Sequence, residues 1–437
     1  MSGPARSGRL VVACWLGLLV GARALSASPG ETQRLVLDNG LVLLFRPNPA
    51  ALTVAVCCFV KVSALVENKD TAGLRNLTQQ TLLDSKDQGG RSLNERLAEL
   101  GMQGSVQLSS DYVETTFLGT ADQLSEAFSF TREVLKPGDL ERRVVALRRT
   151  QVLEELSGRA EVPLLHATDM ATGHLYQDTP CAWPAVGTVA VAGLTLEQIA
   201  ALRRMRYVPN NAVVAVSGNV TWEGCQAEGR RALGDLLPRQ MAPEPSLSVQ
   251  LPARRAYLYS PWAGDSAAVM MVAPCPPPSA ESFPGVAVLN VVLGCGEGSR
   301  LFRALRRERS LAYTVSADLV PSHLCGILAI SAICEPSRAA EVFHVMQDEL
   351  AALRTRPASE AEVQRAQAYL TGSFVLGHQR NSEAAHYLGL YEVLFPGRVA
   401  GDLAGLFSAA TPGQVERAVG WLWAHAFWVQ VGGTRPE

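Results

Sequence analysis

The chain runs to 437 residues, of which 48% are hydrophobic and 18% charged, with a formal net charge of −2. That balance excludes an intrinsically disordered chain, which is apolar-poor and charge-rich. It also excludes the basic field that draws proteins to nucleic acid, so no nucleic-acid partner is implied. The 37 Gly and 25 Pro fall without a period, against collagen or a coiled coil, and the length allows two or more domains with large cores.

Arg6 and Arg9 precede an apolar stretch over residues 10–22, and Ala22 and Ala24 flank Arg23 as in a leader cleavage site. Residues 1–24 therefore read as a signal peptide, which places the mature chain in a secreted or periplasmic location. The alternative is a mitochondrial presequence. It suits the acid-free, Arg-bearing start, but presequences are amphipathic and this stretch is apolar all round. The stretch is short for a bilayer span, and no later segment holds 18 uninterrupted apolar residues, so no stable transmembrane span is expected after leader removal.

Residues 34–45 read as strand, Asn-Gly turn and strand, and 52–63 (LTVAVCCFVKVS) as a further strand. Helices are expected over 73–84, 91–101, 121–134 and 139–159, with a hairpin over 105–118. Thr195 with Gln198 three residues on forms a capping-box pattern ahead of a helix over 195–206. A strand at 212–217 and a helix at 223–237 complete a first unit over 32–237. Residues 238–252 (PRQMAPEPSLSVQLP) read as a linker. The second unit, 253–437, repeats the order of elements. Strands are expected near 255–260, 267–273, 311–320, 324–333 and 427–431. Helices are expected over 281–293, 337–354, 358–377 and 380–393, and a Gly-rich turn and helix over 294–309. Two similar halves imply a duplicated α+β unit, each half a mostly antiparallel sheet with helices packed on one face, in a clam-shell arrangement.

The nine cysteines include no C-x-x-C pair and read as small buried apolar residues. The seven histidines, at 166, 174, 323, 344, 378, 386 and 425, show no H-x-x-x-H spacing around an acid and read as solvated or core residues. There is no G-x-S-x-G, and the Gly-rich turn at 294–298 lacks the Gly-Lys-Ser/Thr of a phosphate loop.

In order along the chain, LDNGL at 37–41, the run 61–67 followed by TAGL at 71–74, LHAT at 165–168, YVPN at 207–210, VAVSGNV at 214–220, GSRLF at 298–302 and LRRERSLAY at 305–313 resemble the insulinase/pitrilysin family of inverted zincins. That family includes the mitochondrial processing peptidase, respiratory core subunits and bacterial two-chain zinc peptidases. Its chemistry needs H-x-x-E-H on a helix, with two His on zinc and the Glu as base. The matching helix reads GLRNLTQQTLL over 73–83, so Asn76 and Gln80 stand where the two His belong and Gln79 where the Glu belongs. Amides are poor zinc ligands and cannot serve as a general base near neutral pH. Glu154, Glu155 and Glu161 lie where the family's third ligand falls, but one carboxylate makes no catalytic zinc site. No metal ligand and no catalytic residue is assigned to this chain.

The resemblance implies a role for Arg306 and Tyr313. In two-chain members the chain without zinc supplies an Arg and a Tyr seven residues apart, and the spacing here is the same. An Arg fork and a phenol can hold a peptide carbonyl or a developing oxyanion. Ser310 departs from the family, which often has Gly before Leu-Ala-Tyr. The implied function is a non-catalytic subunit of a heterodimeric zinc metallo-endopeptidase, with substrate-binding Arg306 and Tyr313, half of a chamber for unfolded peptide, and zinc held by a homologous partner subunit. Two other readings are a structural scaffold subunit of a respiratory or processing complex, and a peptide-binding homodimer without catalysis.

Overall fold

The computed structural model describes residues 32–436 except 88, 137, 242–246, 248–255, 280 and 398–401. The leader read over 1–24 and most of the linker read over 238–252 lie outside the described residues. Two sheets organise the chain. The first has the order β1-β2-β6-β3-β5-β4, built from Gln33–Val36, Val42–Pro47, Ala212–Gly218, Thr53–Val60, Val113–Thr120 and Gln103–Leu108. The second has the order β7-β11-β8-β10-β9, from Tyr257–Ser260, Phe427–Val431, Ala267–Pro274, Ile327–Cys334 and Ala312–Val320. Without β1, both sheets place their strands first, fifth, second, fourth, third in chain order. The parallel pair is the same in each, β2 with β6 and β7 with β11. The duplication read from the order of elements is therefore present in the topology.

Strand β3 is apolar at nearly every position because both of its faces are covered. Val54, Val56, Cys58 and Val60 point into one core, and Ala55, Cys57 and Phe59 into another. Strand β8 divides the same way, with Ala267, Val269, Met271 and Ala273 on one side and Ala268, Met270 and Val272 on the other. Each sheet's own helices cover one face, as expected. The other face is covered by a helix from the opposite half. Helix Asn381–Leu394 lies on β3, β6 and β2, and helix Pro163–Leu175 lies on β8 and β11. The exchange is reciprocal, so each half closes its second core with the other's chain.

Polar ties fix the exchanged helices. Asn381 donates through Nδ2 to the Thr53 carbonyl (2.8 Å) and accepts from Asn48 (2.8 Å), anchoring the start of its helix to the rim of the first sheet. Near the end of that helix, Arg34 grips the buried Glu392 with two hydrogen bonds of 3.2 and 2.9 Å. Midway, His386 Nδ1 meets Glu114 Oε2 at 2.7 Å. Position 389 of the same helix has no room for a side chain, since a Cβ on Gly389 would fall 2.1 Å from a ring carbon of the fully buried Phe59. On the other side, His166 bonds the Ser260 hydroxyl (3.1 Å), and the Tyr176 hydroxyl, just past the Pro163–Leu175 helix, donates to the Gly326 carbonyl (2.6 Å). The β4–β5 and β9–β10 hairpin tips also meet. Ser322 donates to Asp111 Oδ1 (2.9 Å), and the His323 amide donates to Oδ2 (3.0 Å).

Candidate functional site

The helix that matches the family's metal helix is short, Leu74–Gln80, followed by a 3-10 turn over Leu82–Asp84, where the sequence reading expected one helix over 73–84. It starts from Gly73 in the left-handed region (φ 100°), where the chain passes so close to Gly187 and Val191 that a side chain would clash. All its residues but Gln80 are buried. The amides at the degenerate positions are engaged in the fold. Asn76 Nδ2 donates to the Val186 carbonyl at 3.1 Å. Gln79 Nε2 donates to the carbonyls of Glu114 (2.5 Å) and Gln107 (3.3 Å), and Gln79 Oε1 accepts from the Tyr207 hydroxyl (3.3 Å). These bonds stitch the helix to β4, β5 and the segment before β6. Gln80 is half-buried.

These residues do not fit a zinc ion. The Asn76 and Gln79 side chains already satisfy the buried carbonyls of Val186 and Glu114, which would cost about 1–3 kcal/mol each if left unpaired. Arg75, beside Asn76, is buried and donates to the carbonyls of Val62 (2.8 Å) and Ser109. Burial pulls its guanidinium below the ordinary range, against the neighbouring Glu67 carboxylate, which accepts from the Arg75 amide at 2.6 Å and is itself pushed up by burial. A buried positive charge at this point further disfavours a dication. Glu154, Glu155 and Glu161 are exposed. Among the described residues no group of three or more His, Cys, Asp or Glu could hold a metal ion.

Arg306 and Tyr313 sit in different surroundings. A short helix, Arg300–Phe302, runs into a π-helical turn over Arg303–Arg307, closed by the Glu308 amide on the Arg303 carbonyl (3.0 Å), where the sequence reading expected a regular helix. Such turns are rare and concentrate at functional positions. Arg306 projects outward, its guanidinium carbon 5.3 Å from the centroid of the Phe302 ring. The neighbouring Arg300 is committed to Glu362 through two bonds of 2.8 Å, so it is not free for a ligand. The chain then turns through Ser310 at φ 51°, a left-handed conformation that costs a non-Gly residue about 1–2 kcal/mol. The Leu311 amide returns to the Leu305 carbonyl (2.7 Å). Tyr313 follows on β9, at the edge of the second sheet, and is 56% exposed. Both side chains are thus open to solvent at the two ends of a strained segment. The Ser310 departure from the family falls where the backbone needs the conformation that Gly adopts freely.

Sequence reasoning missed the pair of Glu114 on β5 and His386 on the exchanged helix. The one sequence signal is an acid within the otherwise strand-like run YVETTF at 112–117. Glu114 is 1% exposed and also accepts from Thr116 (3.1 Å), which contacts the Cys57 sulfur at 3.2 Å. Burial pulls the His386 imidazole down, but the hydrogen bond and charge of Glu114, with the charge of Glu383, outweigh it and leave the pKa raised.

Residues 193–370, which include the 298–313 segment, match the family model described as the Peptidase M16 inactive domain. The chain is 28% identical over 364 residues to an uncharacterized zinc protease of Mycobacterium leprae, with 82% of each chain covered. Over these stretches the chain is similar to the M16 peptidase family, and its own metal-motif positions hold Asn76, Gln79 and Gln80. An uncharacterized zinc protease of Streptomyces coelicolor is 24% identical over 396 residues, covering 89% of this chain and 86% of that one. Among solved structures, a protease from Helicobacter pylori superposes with a TM-score of 0.83 at 18% identity, covering 92% of this chain and 99% of that one. A peptidase M16 inactive domain from Pseudomonas fluorescens gives 0.82 at 19%, covering 93% and 99%. At these identities the structures establish the shared fold.

Proposed function

We propose that this M16-like chain is the non-catalytic subunit of a secreted or periplasmic zinc metallo-endopeptidase, paired with a homologous subunit that holds the zinc and the base. The observation that carries this reading is a contrast. The metal-motif helix is sealed, with its amides serving the fold, while Arg306 and Tyr313 stand exposed around a π turn and a left-handed serine. Strain retained in a segment whose Arg306 and Tyr313 face solvent points to use. The exchanged helices add support. The second face of each sheet is occupied by the other half's helix, which favours a peptide chamber completed by a second chain. In that chamber Arg306 and Tyr313 donate to a peptide carbonyl oxygen, and an extended, unfolded peptide pairs with an exposed sheet edge such as β9.

The test is purification of the mature chain from its native source with its partner. A near-equimolar homologue carrying H-x-x-E-H is expected to co-elute, with zinc in that subunit. Arg306→Ala combined with Tyr313→Phe should then lower turnover of an unfolded peptide about 100-fold or more, in line with the loss of oxyanion donors. Full activity of the double variant sinks the assignment of these residues. A homodimer that binds peptide without zinc, or co-elution with respiratory subunits, sinks the two-chain peptidase in favour of a binding or scaffold role.

A further inference from the structure

Arg203 is a buried charge that the peptidase reading does not use. It lies near the end of helix Leu196–Arg206, which packs against the metal-motif helix Leu74–Gln80, and it is 3% exposed. Its Nη1 donates to the hydroxyl of Ser85 (2.8 Å), the residue just past the 3-10 turn that follows the motif helix. Its Nε and Nη2 are buried and make no hydrogen bond. Among the described residues no carboxylate pairs with this guanidinium.

The two unpaired donors are not scattered. Nε–H and the adjacent Nη2–H lie on one edge of the planar guanidinium and point the same way, a fork matched to a single anion. The same chain uses that edge repeatedly. Arg34 holds Glu392 through Nε and Nη2 (3.2 and 2.9 Å), Arg148 holds Asp84 (2.7 and 3.1 Å), and Arg300 holds Glu362 (both 2.8 Å). Arg159 holds Asp169 by the same two atoms. All four of these pairs are partly open to solvent. Arg75, the buried arginine on the motif helix, fills the edge with the carbonyls of Val62 and Ser109. Arg149 has an unpaired Nε, but its Nη2 donates to the Leu194 carbonyl, so its edge is half used.

A guanidinium taken out of water without a counter-charge is costly, because nothing repays the lost hydration. Burial pulls the Arg203 pKa down to about 10, opposed by the Tyr207 phenol. That value still leaves the group charged near neutral pH. A neutral donor would serve the Ser85 hydroxyl as well, so that bond alone gives no reason for a charge here.

We infer that the Nε–Nη2 edge of Arg203 binds a monovalent anion of the chloride class, enclosed where helix Leu196–Arg206 meets the segment after the metal-motif helix. Burial sets the size. Both nitrogens are sealed from solvent, so a carboxylate carried by a partner chain or a larger molecule has no approach. The charge sets the valence, since one guanidinium neutralises one negative charge. A single halide accepts both N–H bonds of the fork. It is taken up as the chain folds and exchanges through local opening of the helix. One turn on, the Tyr207 hydroxyl donates to Gln79 Oε1 (3.3 Å). The anion and that bond together secure helix Leu196–Arg206 to the degenerate motif helix and its turn.

The experiment follows thermal unfolding of the full chain by circular dichroism at constant ionic strength, with sodium gluconate replaced stepwise by sodium chloride. Gluconate is too bulky for the site. The midpoint should rise by several degrees and the rise should saturate, as binding to the folded state alone requires. Arg203→Met keeps most of the volume and removes the fork, so its midpoint should lose that saturable rise. The difference between the two proteins carries the assignment, because general salt effects are common to both. Crystals of the unsubstituted chain grown in sodium bromide should show an anomalous bromine peak in contact with Nε and Nη2. A midpoint indifferent to the exchange, the same saturable rise in Arg203→Met, or a map without bromine at the fork overturns the inference. The bromide map decides the matter even where the variant fails to fold. Neither readout needs a partner subunit or a peptide, so both stand apart from the peptidase reading.

Discussion

The contact between Glu114 and His386 gives a prediction with a calculable size. It joins the first sheet to a helix donated by the second half, at 2.7 Å, with the carboxylate side chain 1% exposed and the imidazole 23%. In His386→Ala the carboxylate keeps only the Thr116 hydroxyl (3.1 Å) in a buried site. Removing one partner of a buried pair typically costs about 3–5 kcal/mol, most of it the penalty of the charge left behind. Since the imidazole edge is partly solvated, the lower figure, about 3 kcal/mol, is expected. Glu114→Gln removes the charge while leaving an acceptor for Nδ1–H, so it should cost about 1 kcal/mol. In that background His386→Ala should cost only about 1 kcal/mol more, which gives a coupling near 2 kcal/mol. Urea unfolding of the four proteins, followed by circular dichroism, measures it. The pH dependence has a definite sign. His386 titrates higher in the folded chain than its ordinary value near 6.5, so the contribution is fully present below pH 6.5 and is lost as pH rises through the raised value. The coupling should therefore shrink between pH 6 and pH 9. A coupling below about 0.5 kcal/mol at pH 6, or one that pH leaves unchanged, would refute the reasoning.

Ser310→Gly should stabilise the chain by about 0.5–1 kcal/mol, because relief of the left-handed backbone (φ 51°) exceeds the added freedom of the unfolded state; a lower melting midpoint would contradict this. Gly389→Ala should destabilise by about 1–2 kcal/mol. Its helix-propensity gain of about 1 kcal/mol is smaller than the overpacking against Phe59, whose ring carbon lies 2.1 Å from the added Cβ, and a net gain in urea resistance would show that the helix can shift outward. Rebuilding the motif with Asn76→His, Gln79→Glu and Gln80→His should yield a destabilised chain without stoichiometric zinc, since a carboxylate at 79 would face the Glu114 and Gln107 carbonyls and Glu154, Glu155 and Glu161 remain exposed. One zinc per chain after dialysis, measured by atomic absorption, would overturn that account.

The strands were the most legible part of this sequence. β3 and β8 are apolar runs of strand length, and runs of that kind report burial on both faces. What covers those faces was not legible. The sequence analysis assigns no helix to 163–175. Its buried residues, Ala167, Ala171 and Leu175, recur every fourth position but are mostly small, so the stripe is weak. Their partners lie on β8 and β11, about 100 and 260 residues downstream, a pairing that no local pattern encodes. Helix Pro412–His425 went unread although Thr411 and Gln414 form a capping box at its start. At the candidate site, the identities of Asn76, Gln79, Arg306 and Tyr313 were legible and their surroundings were not. The π turn is a hydrogen-bonding choice between near-equal partners, and residue type alone does not select it.

The two ends of the proposed chemistry differ in opposite physical directions. On the helix that matches the family's metal helix, amides stand where the motif has two His and a Glu, and Asn76 and Gln79 are engaged in the fold. Asn76 and Gln79 satisfy the buried carbonyls of Val186 and Glu114, and Gln79 also bonds that of Gln107, so metal binding there has to break those bonds first. Between residues 303 and 313 the chain keeps a π turn and a left-handed serine that a single substitution to Gly could ease, and both flanking side chains face solvent. Leu305 and Leu311 of this segment pack in the second core, but Ser310 itself is exposed, so easing its backbone costs that core little. The segment that retains strain is therefore the one to test for contact with a substrate. The relaxed helix is the one to read as structure.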